Sequence, residues 1–430
     1  MGHAVNPERE HHLLRKRLDR MVTGAPDSPQ IIQILSLLFS PEDARLARYL
    51  PARPAPLEDI VRRIGLPADE LDARLTDMAH RGLVLDFTVG EKRYFMLPPV
   101  VTGLFEFVFM RQRDNLPQQE LARLFDAYMY QDDRYARSLF AGQTQIGRAL
   151  VHEEALADYD HNEVLDWERA TQVIERAAVI GVSLCACRHT KLHQNKACDA
   201  PLETCFSFNQ TADALTRNGI ARKIDAAGAL EILSQSKQAG LAQIGDNVQR
   251  DMIYMCNCCG CCCTFFNAMR LFDMPKAVMS SNWVMQVDTK RCRGCNKCIA
   301  ACPVSAIALT DNKETTDGTQ YAVCDAELCL GCGVCHCVCR FDAIRMARRE
   351  KRVVTPETTF DRVALMALER GKLVDLIFDE PANLGYRAVG RLLSLLEKTP
   401  PAKALLAIKP LRSAFLNAFV RKAKNMSPVF

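Results

Sequence analysis

The chain has 430 residues, 48% hydrophobic and 25% charged, with a formal net charge of +4. That length calls for about two to four domains, the composition is that of an ordinary soluble protein, and so small a charge singles out no partner. Twenty cysteines are the departure: they fall in C-x-C, C-C and C-C-C groups, poor geometry for disulfides and good geometry for metal. No apolar segment suits a secretory signal or a membrane-spanning helix. Free thiols persist in a reducing compartment, so a cytoplasmic setting is expected.

Residues 1–29 are polar, carry Gly24, Pro26 and Pro29, and read as a loose leader. A winged-helix-like domain is expected over 30–110. Ile31–Phe39 is an apolar helix, and Ser40-Pro41-Glu42-Asp43 is a helix start, with a serine cap, proline at the first position and acids in the first turn. Leu57–Ile64 is the next helix. Ala68–Arg81 follows, with Leu71, Leu75 and Met78 on one face, and Gly82 ends it. Leu83–Phe87 and Tyr94–Leu97 read as two strands joined through Gly90. Helices followed by a hairpin suggest DNA, but the helix that would enter the groove sets Asp69, Glu70, Asp72 and Asp77 against Arg74 and Arg81. A phosphate-facing helix needs a basic surplus. A packing or protein-interaction role is therefore preferred, and nucleic acid is disfavoured as a partner.

A helical region is expected over 111–180. Pro117 starts one helix, with Leu121, Leu124, Phe125 and Tyr128 on its apolar face, and Asp166–Ala178 is another. Val179–Leu184 turns strand-like and leads into a cysteine-rich domain over 181–285. Cys185, Cys187, Cys198 and Cys205 have the spacing C-x-C-x10-C-x6-C, enough thiolates for one cluster. His189 and His193 lie nearby and read as hydrogen-bonding rather than ligating histidines. Asn209–Arg217 and Ala226–Ala239 read as helices around a short strand at Ala221–Asp225, a small α/β arrangement. Then come Cys256, Cys258, Cys259, Cys261, Cys262 and Cys263, six cysteines in eight residues. Adjacent side chains diverge, so all six cannot face one cubane. Four of the six could serve a second cluster, and the spacing does not say which four. A zinc site and redox-active thiols are the alternatives for this domain.

Residues 286–350 carry a repeat. Cys292, Cys295, Cys298 and Cys302 have the spacing C-x2-C-x2-C-x3-C, and Cys329, Cys332, Cys335 and Cys339 repeat it 37 residues later. Ala306-Ile307 answers to Ala343-Ile344. This segment resembles a bacterial-type ferredoxin domain with two 4Fe-4S clusters, in which the fourth cysteine of each run serves the other cluster. The resemblance implies one set of Cys292, Cys295, Cys298 and Cys339 and another of Cys329, Cys332, Cys335 and Cys302. The second run departs from the family in having Arg340 where proline is usual. Cys324 and Cys337 belong to neither set by spacing. Arg291, Arg293 and Lys297 flank the first loop, and their charge is expected to favour the reduced state there.

Residues 351–430 read as a helical tail that opens at Thr355-Pro356-Glu357. Its last thirty residues carry Lys403, Lys409, Arg412, Arg421, Lys422 and Lys424 and no acid, with Leu411, Phe415, Ala418 and Phe419 on one face. Such a helix packs on its own domain, docks on an acidic partner, or touches an anionic membrane peripherally. No G-x-G-x-x-G follows a strand, no G-x4-G-K-[ST] occurs, and no hydrolytic triad or H-E-x-x-H is visible.

Residues 31–347 together resemble multicluster iron–sulfur proteins of anaerobic bacteria, on the strength of Asn257–Cys263 and Cys292–Pro303. The expected fold is α+β and multidomain: a winged-helix-like N-terminal domain, a small α/β cysteine-rich domain, a ferredoxin-like two-cluster domain and a helical tail. The resemblance implies an electron-transfer protein holding two to four 4Fe-4S clusters. Its partner would be a flavoprotein, a ferredoxin or an oxidoreductase subunit. An oxidoreductase subunit with a substrate-binding cluster in the cysteine-rich domain is the first alternative. A redox-sensing winged-helix regulator is the second.

Overall fold

The computed structural model of the protein describes residues 8–156, 165–310, 320–377 and 379. It divides into two compact units that interleave in sequence. One is Met1–Thr144 with Asp213–Ala221 and Thr358–Phe430; the other is Gln145–Ala212 with Arg222–Glu357. The basic helix expected over 401–430 lies outside the described residues. Among the described residues no helix is long and apolar enough to cross a membrane.

The first unit begins with a correction to the loose leader. Arg9–Asp19 is a helix. Leu14 and Leu18, four residues apart and so on one face, are buried, and burying such a side chain is worth about 1.5–3 kcal/mol. The surrounding charge hid this helix in the sequence, but two of the charges turn inward. The Arg17 guanidinium donates to the Leu50 carbonyl at 2.9 Å and pairs with buried Asp379. Arg15 donates to the Ala25 carbonyl at 3.4 Å.

Helices then run Pro29–Leu38, Pro41–Ala47, Leu57–Ile64 and Ala68–His80. The Ser40 hydroxyl caps the second of these, accepting from the Asp43 N–H at 3.1 Å. Leu85–Val89 and Lys92–Met96 form an antiparallel hairpin, and Ala55–Pro56 adds a short edge. Gly82 (φ +76°) reverses the chain before the hairpin, and a Cβ there would press on Phe107. Phe87, Tyr94 and Met96 pack on Ala214. The helix start expected at Thr355 is displaced. The helix is Thr359–Glu369, and Thr358 caps it with Asp361 in a reciprocal box. Its end is fastened by Arg370, which donates to the carbonyls of Val22, Leu139 and Ala141 at 2.9–3.1 Å.

The second unit is built on a six-stranded antiparallel sheet. Its spatial order is Gly147–Ala149, Ala242–Asp246, Tyr254–Cys258, Glu203–Phe208, Ile180–Leu184, Arg222–Ile224. The sequence reading anticipated only the last two of these strands, and placed a helical region over 111–180 where Gly147–Ala149 is a strand. Within Asp166–Ala178 the structure has a short 3₁₀ turn and a helix at Ala170–Arg176. That helix and Ala226–Gln238 cover an apolar core of Ile174, Val182, Phe206, Phe208, Leu233 and Met255. Arg148 and Glu168 form a buried ion pair at 3.1 Å, and Glu168 also accepts from the Asn282 amide side chain at 2.8 Å. One carboxylate thus ties the sheet to the segment that enters the repeat.

The repeat folds as two interlocked halves. Trp283–Val287, the helix Lys297–Ala301 and Ile307–Leu309 make the first. Ala322–Cys324, the helix Val334–Cys337 and Ile344–Arg348 make the second. The first strand of one half pairs with the last strand of the other, both times antiparallel. Neither half completes its own sheet.

Candidate metal centre

The interlocking explains how each half lends a cysteine to the other. A small cavity is lined by Cys292, Cys295 and Cys298 from the first loop and by Cys339 from the second run, with Leu309, Ala322, Phe341 and Ile344 closing it. Backbone N–H groups point at its sulfurs: Ala322 donates to Cys292 Sγ and Ala343 to Cys339 Sγ, each at 3.4 Å.

The other set mirrors this one. Cys302 lies close enough to Cys329, Cys332 and Cys335 for the four thiols to act on one another electrostatically. Ala306 N–H donates to Cys302 Sγ at 3.3 Å, the repeat equivalent of the Ala343 bond. Burial drives the Cys332 thiol up to about 12. A protonated thiol cannot ligate, so a bound metal must displace that proton.

Exposure separates the two sets. Cys295 is exposed, and so are Arg293 and Lys297 beside it. Cys329, Cys332 and Cys335 are all buried. The loop that carries them passes so near Ser281 and Trp283 that a Cβ on Gly331 (φ +70°) would collide with the Ser281 hydroxyl and the Trp283 carbonyl. Arg349 holds the same loop, donating to the carbonyls of Ser281 at 3.1 Å and Ala326 at 2.9 Å. Arg291, expected to lend its charge to the outer loop, is spent on carboxylates: it pairs with Asp342 at 3.0 Å and Asp288 at 3.4 Å. Arg293 and Lys297 line the cavity instead.

The two cysteines outside the spacing have definite neighbours. The Cys324 thiol donates to the Asp325 carbonyl at 3.7 Å, and its closeness to Cys329 holds that thiol down at about 6. Cys337 Sγ lies 3.3 Å from His152 Nδ1, whose Nε2 reaches the Leu241 carbonyl at 3.1 Å. Burial, then the nearby Lys237, holds His152 at about 4, so it is neutral at physiological pH.

Cys185, Cys187, Cys198 and Cys205 do not form one group of sulfurs within 4.8 Å of one another. Cys198 joins Cys259, Cys261 and Cys262, and all four sulfurs lie within 4.8 Å of one another. The remaining thiols line up on the other side: Cys187 faces Cys263, Cys263 faces Cys258, and Cys256 bridges Cys258 and Cys205. The division follows from secondary structure. Cys256 and Cys258 are two apart on a strand and share a face, whereas the turn after Cys258 swings Cys259, Cys261 and Cys262 away. Sequence spacing alone could not reveal a strand in so cysteine-dense a run.

Arg188 organises this region and was not singled out from the sequence. It is buried and donates to the carbonyls of Pro201 and Asn257, the latter at 3.2 Å, and to Thr204 Oγ1 at 3.4 Å. Those three bonds join the segments that carry Cys198, Cys205 and Cys256. Its positive charge lies among Cys185, Cys198 and Cys259. The Cys259 thiol is held at about 4 by the Cys262 hydrogen bond and then by Arg188. His189 and His193 stack on each other at 4.7 Å between ring centroids, and neither belongs to the four-thiol group. A cation one residue beyond C-x-C was the available signal for Arg188.

The 4Fe-4S dicluster domain family matches residues 291–343, which contain both cysteine runs, Cys292–Cys302 and Cys329–Cys339. No curated protein and no solved structure matches the chain. The match and the cysteine-rich region together mark an iron–sulfur protein that binds 4Fe-4S clusters.

Proposed function

We propose that the protein relays single electrons between a redox partner and its own interior, with Cys292, Cys295, Cys298 and Cys339 at the outer station and Cys302, Cys329, Cys332 and Cys335 at the inner one. The observation that carries this reading is the unequal exposure of two interlocked thiol sets: Cys295 of one is exposed, and no thiol of the other is. Bound clusters supply one-electron chemistry with little rearrangement of the chain around them. The chain's part is to hold the thiols, aim N–H groups at the sulfurs and exclude water from the inner set. Exposed Arg293 and Lys297 present positive charge beside the outer loop, which suits an acidic face on a flavoprotein, a ferredoxin or an oxidoreductase subunit. The Cys185–Cys263 region extends the metal-binding part of the molecule.

DNA regulation is the weaker reading of the first unit. Two cations of its hairpin and helices are paired internally: Arg93 with Asp72 at 2.6 Å and Arg81 with Asp43 at 2.8 Å.

The test is an anaerobic redox titration followed by electron paramagnetic resonance. Two one-electron signals are expected, and the reduced protein should pass its electrons on to an oxidised low-potential acceptor such as a ferredoxin. Clusters that cannot be reduced, or that are reduced and never reoxidised by any one-electron acceptor, would overturn the relay.

A further inference from the structure

We propose that Cys198, Cys259, Cys261 and Cys262 bind one metal ion, zinc or iron, in a closed tetrahedral tetrathiolate site that is separate from any cubane. All four Sγ atoms lie within 4.8 Å of one another. Cys261 and Cys262 are 3.6 Å apart, and Cys262 and Cys198 are 4.0 Å apart. A tetrahedron with metal–sulfur bonds of about 2.3 Å has edges of about 3.8 Å. In a cubane each thiolate caps a different iron, so its four thiolates must spread wider than the ligands of one ion. The dicluster segment gives an internal contrast: its two sets do not close into any such tight group.

The loop chemistry agrees. Cys259 and Cys262 bracket a C-x2-C chelate, the spacing that wraps one ion. Cys198 comes from a segment sixty residues away and closes the site from the other side. Tetrathiolate coordination is characteristic of zinc or iron. The four thiols would bind as thiolates and release their protons to solvent. A divalent ion with four thiolates carries two net negative charges, and the buried Arg188 guanidinium beside Cys198 and Cys259 offsets part of that.

The site has a structural purpose. A Cβ on Gly260 would come within 3.1 Å of Pro303 Cα and 3.2 Å of its carbonyl oxygen, so the chelating turn rests on the residue that follows Cys302. One ion would lock the 198 segment, the 259–262 turn and, through Pro303, the footing of the inner thiol set. A site with four protein ligands leaves no position for substrate.

The proposal does not depend on the relay, because it concerns a single ion counted against sulfide. Holoprotein purified without oxygen would be analysed for zinc, iron and acid-labile sulfide, with zinc-edge X-ray absorption on the same sample. About one zinc per chain is expected, bound by four sulfurs at about 2.3 Å with no second metal nearby. If the cell loads iron instead, iron exceeds sulfide by one per chain. Cys261→Ser and Cys198→Ser should each remove that one ion and leave sulfide unchanged. The assignment is overturned if wild-type protein has no zinc and equal iron and sulfide. It is equally overturned if the zinc has oxygen or nitrogen ligands, or if Cys261→Ser loses about four sulfides, the content of one cubane.

Discussion

Two regions of the second unit are crowded with cysteine, and they are built on opposite plans. In Cys292–Cys339 the ligands sit on short loops of fixed spacing, repeated once, and the fold adds only the exchange of the fourth thiol between interlocked halves. In Cys185–Cys263 the cysteines lie at irregular intervals on two strands, a helix and the loops between them, and the antiparallel sheet helps decide which of them meet. Spacing is informative where one loop carries three of the four thiols of a set. It fails where a sheet gathers them from distant segments.

The comparison is easiest to break through the exchanged cysteine. Cys339→Ser should cost about four irons and four sulfides per chain, one cubane's content, while the tetrathiolate ion stays in place. Iron, zinc and sulfide counts check this. Loss of the ion together with the cluster would show that the two regions load as one.

Arg188→Met probes the opposite plan. It removes three hydrogen bonds from a buried cation that ties together the cysteine-bearing segments. A single charged hydrogen bond is worth about 1.5–3 kcal/mol, so the loss should be at least that. Metal should leave the Cys185–Cys263 region while the dicluster segment keeps about eight irons. A urea melt monitored by metal content would show it. An unchanged melt would mean that the sheet alone suffices to hold those thiols together.

The smallest effect concerns tuning. Cys324→Ala removes the thiol that holds the Cys329 thiol down. An interaction the size of one hydrogen bond, about 0.5–1.5 kcal/mol, should lower the inner set's midpoint potential on the order of tens of millivolts, with iron content unchanged. A rise, or no shift, would show that Cys324 only fills space.

Much of the first unit could be read directly. The apolar periodicity of Leu71, Leu75 and Met78, the Ser40 cap and the stop at Gly82 are local signals, and each is observed in place. Arg9–Asp19 was missed because its charges dominate the composition, although Arg15 and Arg17 turn inward to carbonyls and Asp379. The strands Gly147–Ala149, Glu203–Phe208, Ala242–Asp246 and Tyr254–Cys258 were missed because a sheet covered by helices loses the polar alternation that marks a half-exposed strand.

The sequence by itself determined that the chain is an iron–sulfur protein, because a cubane-binding loop is a short-range device written in consecutive residues. Only the tertiary structure decided that Cys198 lies with Cys259, Cys261 and Cys262, that Arg188 lies among the thiols, and that one thiol set reaches the surface at Cys295 while the other has no exposed thiol. Those facts depend on strand pairing between residues tens of positions apart, where contact is set by the packing of the whole sheet rather than by local spacing.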